Sequence, residues 1–365
     1  MSSVRLETRT RHRPGGGDYG YSNARIRGMR SRLLRRDFLD TLIAGTDLRR
    51  LVQDLAETEY GPDLEEALIQ GLNATTVDAA LKNNMVRTFQ KVLGFLNEEA
   101  EHLVTTLLGR WDVFNVKTLL RAKQMGLRHE ELVDGLLPVG TLGPVDLQAL
   151  ASVPDVRAVV DTIVTWGLPI ASALREGHAV YLKSGELAEL ELALDRYYSA
   201  WASARLRGRN ANATMARSIL QMQIDISNLV MVFRLQKEDT ESVDATRFFL
   251  EGGRTITPDL YVTLARMSDV DEVLDKMRGT RLGTTLDDVA MSFLETNSIS
   301  VFERALEDLL TRRTLALAKG DPLGVGVAIA YLWAKQNEVT NVRIIVKGKA
   351  VGMPVDRVRK ELILV

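Results

Sequence analysis

The chain has 365 residues, 45% of them hydrophobic, a net charge of −1 and no cysteine. That length allows two or three domains with ample apolar material for cores. The missing cysteine excludes disulfides, thiolate metal sites and thiol catalysis, and it suits a reducing compartment. The charge is uneven: residues 1–36 hold ten arginines against Glu7 and Asp18, a net +8, which leaves −9 on the remainder.

Residues 1–18 read as a basic flexible arm, a pattern typical of solvated or partner-binding tails. They contain no apolar h-region of a secretory signal. Gly15–Gly17 follow no strand and precede no Lys-Ser/Thr, so they are not a phosphate loop. Tyr19 and Tyr21 are the only aromatic residues among residues 1–36, too few for the stacking platform that single-stranded nucleic acid requires. An acidic surface such as anionic lipid or a carboxylate-bearing partner fits the arm's charge better. Residues 19–36 read as a leading helix.

Beyond the arm the sequence repeats. Residues 42–55, 150–163 and 264–277 each place an aspartate (Asp47, Asp155, Asp269) before apolar positions at +1, +4, +5 and +8. This is an N-cap followed by an amphipathic helix. Longer runs with three-four spacing follow: Phe89, Val92, Leu93 and Leu96; Leu187, Leu190, Leu194 and Tyr197; Phe302, Leu306, Leu309 and Leu310. Alternation of the strand type is never sustained. Residues 343–347 are β-branched but occupy a slot that is helical in the other copies.

A second element recurs at a constant 113-residue spacing: Asp112-Val-Phe-Asn115, Asp225-Ile-Ser-Asn228 and Glu338-Val-Thr-Asn341, each opening an apolar-basic helix. Internal repetition outranks any single motif in setting the fold. Asparagine is unfavourable inside a helix by up to about 0.7 kcal/mol. Its recurrence therefore implies a buried amide that satisfies loop or helix-end backbone groups, with partner binding as the second reading. Gly/Pro-rich breakers at 137–144 and 251–258 divide the chain, giving an arm (1–18) and three helical modules, 19–145, 146–258 and 259–365. The fold class is all-α, with three tandem pseudo-symmetric domains.

The stretch 323–330 superficially resembles a dinucleotide fingerprint but lacks its third glycine and its preceding strand. Asp321-Pro322 reads as a helix start instead, with Gly324 and Gly326 making the helix thin enough for close packing or partner contact. His12, His102, His129 and His178 have no metal-ligand spacing. No nucleophile–base signature is present. The sequence thus points to no catalytic residue, no cofactor and no metal, the inventory of an interaction protein. Its longest apolar run, Val325–Ala334, is about half of what spans a bilayer.

The pieces Tyr19-Gly-Tyr-Ser-Asn-Ala-Arg-Ile-Arg-Gly28, Asp321-Pro-Leu-Gly-Val-Gly326 and Glu338-Val-Thr-Asn-Val-Arg343 occur in an order that resembles the C-subunit family of V/A-type rotary ATPases, over residues 19–365. The resemblance implies an all-helical funnel of three pseudo-symmetric domains. It also implies a non-catalytic, peripheral place on the cytoplasmic face of the membrane-embedded proteolipid ring, with the funnel holding the D and F subunits of the central shaft. Coupling of ATP turnover to proton or sodium movement is what that position implies. A general helical scaffold for soluble proteins is the alternative reading of the same residues.

Overall fold

Three aspartates start three equivalent helices in the computed structural model, which describes residues 18–45, 47–69, 71–237 and 244–364. The Asp47 carboxylate accepts the Arg50 amide at 2.8 Å, Asp155 that of Ala158 at 2.8 Å, and Asp269 that of Glu272 at 2.9 Å. Each cap satisfies an orphan donor and contributes about 1 kcal/mol. Of the basic arm only Asp18 lies among the described residues; its carbonyl accepts the Asn97 amide at 3.1 Å.

The first third of the chain contains α1 (Gly20–Arg30), α2 (Arg36–Ala44), α3 (Leu48–Ala56), α4 (Gly61–Leu68), α5 (Ala74–Leu93), α6 (Glu98–Leu108) and α7 (Arg110–Gln124). Next come α8 (His129–Asp134), α9 (Pro144–Ser152), α10 (Val156–Thr165), α11 (Ala171–Ser184), α12 (Leu187–Arg205) and α13 (Ala211–Lys237). The last third holds α14 (Pro258–Ala265), α15 (Val270–Met277), α16 (Arg281–Asp287), α17 (Ala290–Thr296), α18 (Ser300–Gly320), α19 (Gly326–Ala350) and α20 (Val355–Glu361). No strand occurs among the described residues, so the all-α expectation holds, and residues 343–347 lie inside α19. The leading helix is shorter than the sequence suggests, ending at Arg30.

Helices α5, α12 and α18 recur at one slot, and α6–α7, α13 and α19 at another. Each core combines the C-terminal half of one long helix with the short helices that follow. One joins Val113–Ala122 of α7 to Leu147–Leu194. A second joins Leu229, Val232 and Phe233 of α13 to Ile256–Leu306, with Phe302 stacked between Phe233 at 4.8 Å and Phe293 at 4.6 Å. The third joins Val339–Val346 of α19 to the helices at the start of the chain. The same cluster contains α6 and the N-terminal halves of α13 and α19, so the three long helices meet in a hub. Apolar packing is shared across the Gly/Pro breakers. With about 1.5–3 kcal/mol per fully buried large apolar side chain, this sharing ties neighbouring modules together.

One expectation is corrected. Asp321-Pro322 does not start a helix: Asp321 follows the end of α18, and α19 begins only at Gly326. The intervening carbonyls are engaged elsewhere. Those of Pro322 and Gly324 accept the Asn23 side chain of α1 at 3.3 and 3.2 Å, and Pro322 also accepts Arg27 at 2.7 Å. The Val325 amide goes to the Asn212 side chain at 2.9 Å. With these groups drawn to α1 and to Asn212, the segment is held out of the helical ladder until the Val325 carbonyl accepts the first amides of α19.

Candidate functional site: three acid–asparagine clasps

The three asparagines perform the same act at the same distance along the chain. Asn115 donates to the Leu137 carbonyl at 2.7 Å and accepts the Leu137 amide at 2.8 Å, 22 residues onward. Asn228 holds Leu250 by the same pair of bonds, both 2.9 Å. Asn341 holds Ile363 at 2.9 and 3.1 Å. All three amides are buried. A side chain bonded through both its oxygen and its nitrogen mimics a backbone partner, replacing bonds that the irregular segment cannot make for itself.

The acids three residues earlier capture the lead-in to the next module. Asp112 accepts the Thr141 amide at 2.9 Å, the Thr141 hydroxyl at 2.6 Å and the Leu142 amide at 2.9 Å, just ahead of α9. Asp225 accepts the amides of Arg254, Thr255 and Ile256 at 2.9–3.1 Å, just ahead of α14. A glycine faces each carboxylate, Gly140 before Asp112 and Gly253 before Asp225, and a Cβ on either would overlap the acid's Oδ1. The breaker glycines are therefore required by close approach.

The Glu338 carboxylate reaches back to the first module. It accepts the Leu34 amide, two residues before α2, and the Tyr60 hydroxyl at 2.7 Å. Lys335 pairs with it at 2.9 Å, with the two side chains 4% and 5% exposed, and the lysine ammonium lies 4.0 Å from the centre of the Tyr60 ring. Burial, then the Glu338 charge, pushes the Tyr60 hydroxyl well above its ordinary range, so it stays a donor.

The clasps therefore hold the segments that run from α7 towards α9 and from α13 towards α14, and Glu338 ties α19 back to the segment before α2, which completes a cycle along the long helices. Ion pairs follow the same cycle. Lys117 and Arg121 of α7 meet Asp195 and Glu191 of α12, Arg234 of α13 meets Glu303 of α18 at 2.6 Å, and Arg343 of α19 meets Asp78 of α5.

Asp112 carries a pH signature. Burial raises its carboxyl pKa, opposed by the Thr141 hydroxyl and the Leu142 and Thr141 amides. The folded chain keeps this proton to higher pH than the unfolded chain does. Its contribution to stability is therefore complete below the ordinary value of 3.8 and declines as pH rises from there through the raised folded value. Asp112→Asn is expected to remove that decline from a plot of denaturation midpoint against acid pH; an unaltered plot would contradict the assignment.

Gly324 and Gly326 lie in the hub. A Cβ at Gly324 would overlap the Asp321 carboxylate, and one at Gly326 would sit 2.6 Å from Met215 Sδ and 2.9 Å from the Leu317 carbonyl. Sequence reasoning missed Tyr60 and Lys335; the available signal was one lysine ending a ten-residue apolar run. Among the described residues no cluster of His, Asp and Glu is arranged to hold a metal, and no helix is long and apolar enough to cross a membrane.

The profile of the ATP synthase (C/AC39) subunit family matches residues 22–361. The C subunit of a V-type ATP synthase from Deinococcus radiodurans is 31% identical over 350 residues, 94% of this chain and 91% of the relative. The C subunits of A-type ATP synthases from Methanobrevibacter smithii and Methanosarcina acetivorans are 29% and 26% identical, covering 93% and 96% of this chain and 87% and 94% of their own lengths. The chain belongs to the ATP synthase (C/AC39) subunit family.

Proposed function

We propose that this protein is the non-catalytic central-stalk adaptor of a V/A-type rotary ATPase, seated on the cytoplasmic face of the proteolipid ring and holding the D and F subunits of the shaft in a funnel between its three domains. The observation that carries this reading is the closed cycle of ion pairs and shared cores that runs from α7 to α12, from α13 to α18 and from α19 back to α5. An adaptor under torque must not shear between its own domains, and each domain here meets the next through an ion pair and a shared apolar core, with Glu338 adding a buried bond from the third to the first. A body of three repeated units also suits a seat built from identical subunits. Contacts made at several points hold together under load, because release of one leaves the others at high effective concentration.

The test is affinity capture of the tagged full chain from detergent-solubilised membranes of its own organism. Recovery of the proteolipid together with the D and F subunits is expected. Recovery of soluble proteins alone, with neither proteolipid nor shaft, would favour the general scaffold reading.

A further inference from the structure

A cavity of about 520 Å³ opens beside the second clasp, between α13, α16 and α18. Comparison with the first clasp shows how the space arises. Equivalent ion pairs set the register of α12 against α18: Glu191 meets Arg121, and Glu303, 112 residues onward, meets Arg234. The cores agree, since buried Leu190 and Leu194 match buried Phe302 and Leu306. In that register Tyr197 is replaced by Leu309 and Trp201 by Arg313. On the facing helix, Gly109, where a Cβ would lie 2.7 Å from the Trp201 ring, gives way at the 113-residue spacing to Met222. Tyr197 and Trp201 stack with their rings 6.2 Å apart, and this stack has no counterpart at the second clasp. Met222, Leu309 and Arg313 line the cavity there instead.

The exchange also changes the charge. Arg254, Arg281 and Arg313 border the cavity, and among the described residues none of their guanidinium groups has a hydrogen bond or an ion pair. The adjacent Arg312, by contrast, is held by Asp308 at 2.7 Å. The clasp itself has no need of an arginine at 254. At the same step beyond Asp112 stands Thr141, whose amide is gripped in the same way. Asp225, the acid in the wall, is already engaged by the amides of Arg254, Thr255 and Ile256.

We infer that this cavity binds a small amphiphilic anion, with a phosphate or carboxylate head met by Arg254, Arg281 and Arg313 and an apolar body lodged against Met222 and Leu309. Guanidinium groups suit either head, because their planar donor forks match a pair of oxygens. The volume lies in the range that small molecules occupy, and a mostly apolar wall with a few polar groups is their usual lining. Met215 and Met222 are flexible enough to follow the shape of the body. The site stands independently of the central-stalk reading above.

The test is calorimetric titration of the full chain with monooctyl phosphate, octanoate, octanol and inorganic phosphate. A single site for an octyl anion is expected, with a rise in the melting midpoint on binding. The tighter of the two anions identifies the head group. Octanol and inorganic phosphate each carry one half of the ligand and are expected to bind about tenfold more weakly or worse. Arg254→Ala, Arg281→Ala and Arg313→Ala together are expected to weaken binding about a hundredfold, with an unchanged circular dichroism spectrum. Refilling the space with the first clasp's residues, Leu309→Tyr with Arg313→Trp, is expected to abolish binding. Should that variant fail to fold, the arginine variant still decides, because Arg254 and Arg281 are exposed and Arg313 is half-buried. Absence of binding by both octyl anions at millimolar concentration would overturn the assignment and leave the cavity to a protein segment. Octanol binding as tightly as the anions would also overturn it, as would arginine-variant binding within about twofold of wild type.

Discussion

Glu338→Ala is expected to be the most damaging single substitution in the clasps. It leaves the Lys335 ammonium buried without its anion, and it strips the Leu34 amide and the Tyr60 hydroxyl of their acceptor. Removing one member of a buried ion pair costs about 3–5 kcal/mol, far more than the net value of the pair itself. The matching control is Lys335→Met combined with Glu338→Gln. It removes both charges while keeping volume and an acceptor for Leu34, so most of the loss is expected to return. Urea midpoints of the wild type, the single and the double variant decide the matter. A single variant within about 1 kcal/mol of wild type would show that the closing clasp carries no weight.

Asp225→Ala is expected to have the next largest effect. Three consecutive amides, of Arg254, Thr255 and Ile256, converge on that carboxylate. Hydrogen bonds to a charged acceptor contribute about 1.5–3 kcal/mol each. Ile256 is buried, whereas Arg254 is exposed and its amide can turn to water, so the net loss is expected to be about 3 kcal/mol. Asp225→Asn keeps one oxygen as an acceptor and is expected to lose about 1 kcal/mol. Equal stability of the alanine variant and the wild type in urea denaturation would mean that the segment before α14 holds itself in place. This clasp is open to solvent on one side: a cavity of about 520 Å³ lies beside it, bordered by Asp225, Arg254 and Arg281.

The helical character of the chain was legible because it is written locally. Asp47, Asp155 and Asp269 cap helices whose apolar positions recur with the turn, and no distant residue is needed to see it. The helix start at 321 misled for the opposite reason. Asp-Pro is a good local signal, but Asn23, Arg27 and Asn212 take the backbone groups that would have continued it, and these partners lie from 113 to 301 residues away. The acid–asparagine slots were visible as repeats, yet what they grip was not. A partner 22 residues onward leaves no periodic trace, and the capture of Leu34 by Glu338 spans 304 residues.

Native-state hydrogen exchange at the amides of Leu34, Leu142 and Ile256 tests the closed cycle most directly, since each is the donor to one of the three acids. Protection of all three to a comparable degree is expected, with Leu34 held as firmly as the two amides gripped within the continuous chain. Exchange of Leu34 at the rate of an open chain, while Leu142 and Ile256 stay protected, would mean that the third module does not close upon the first.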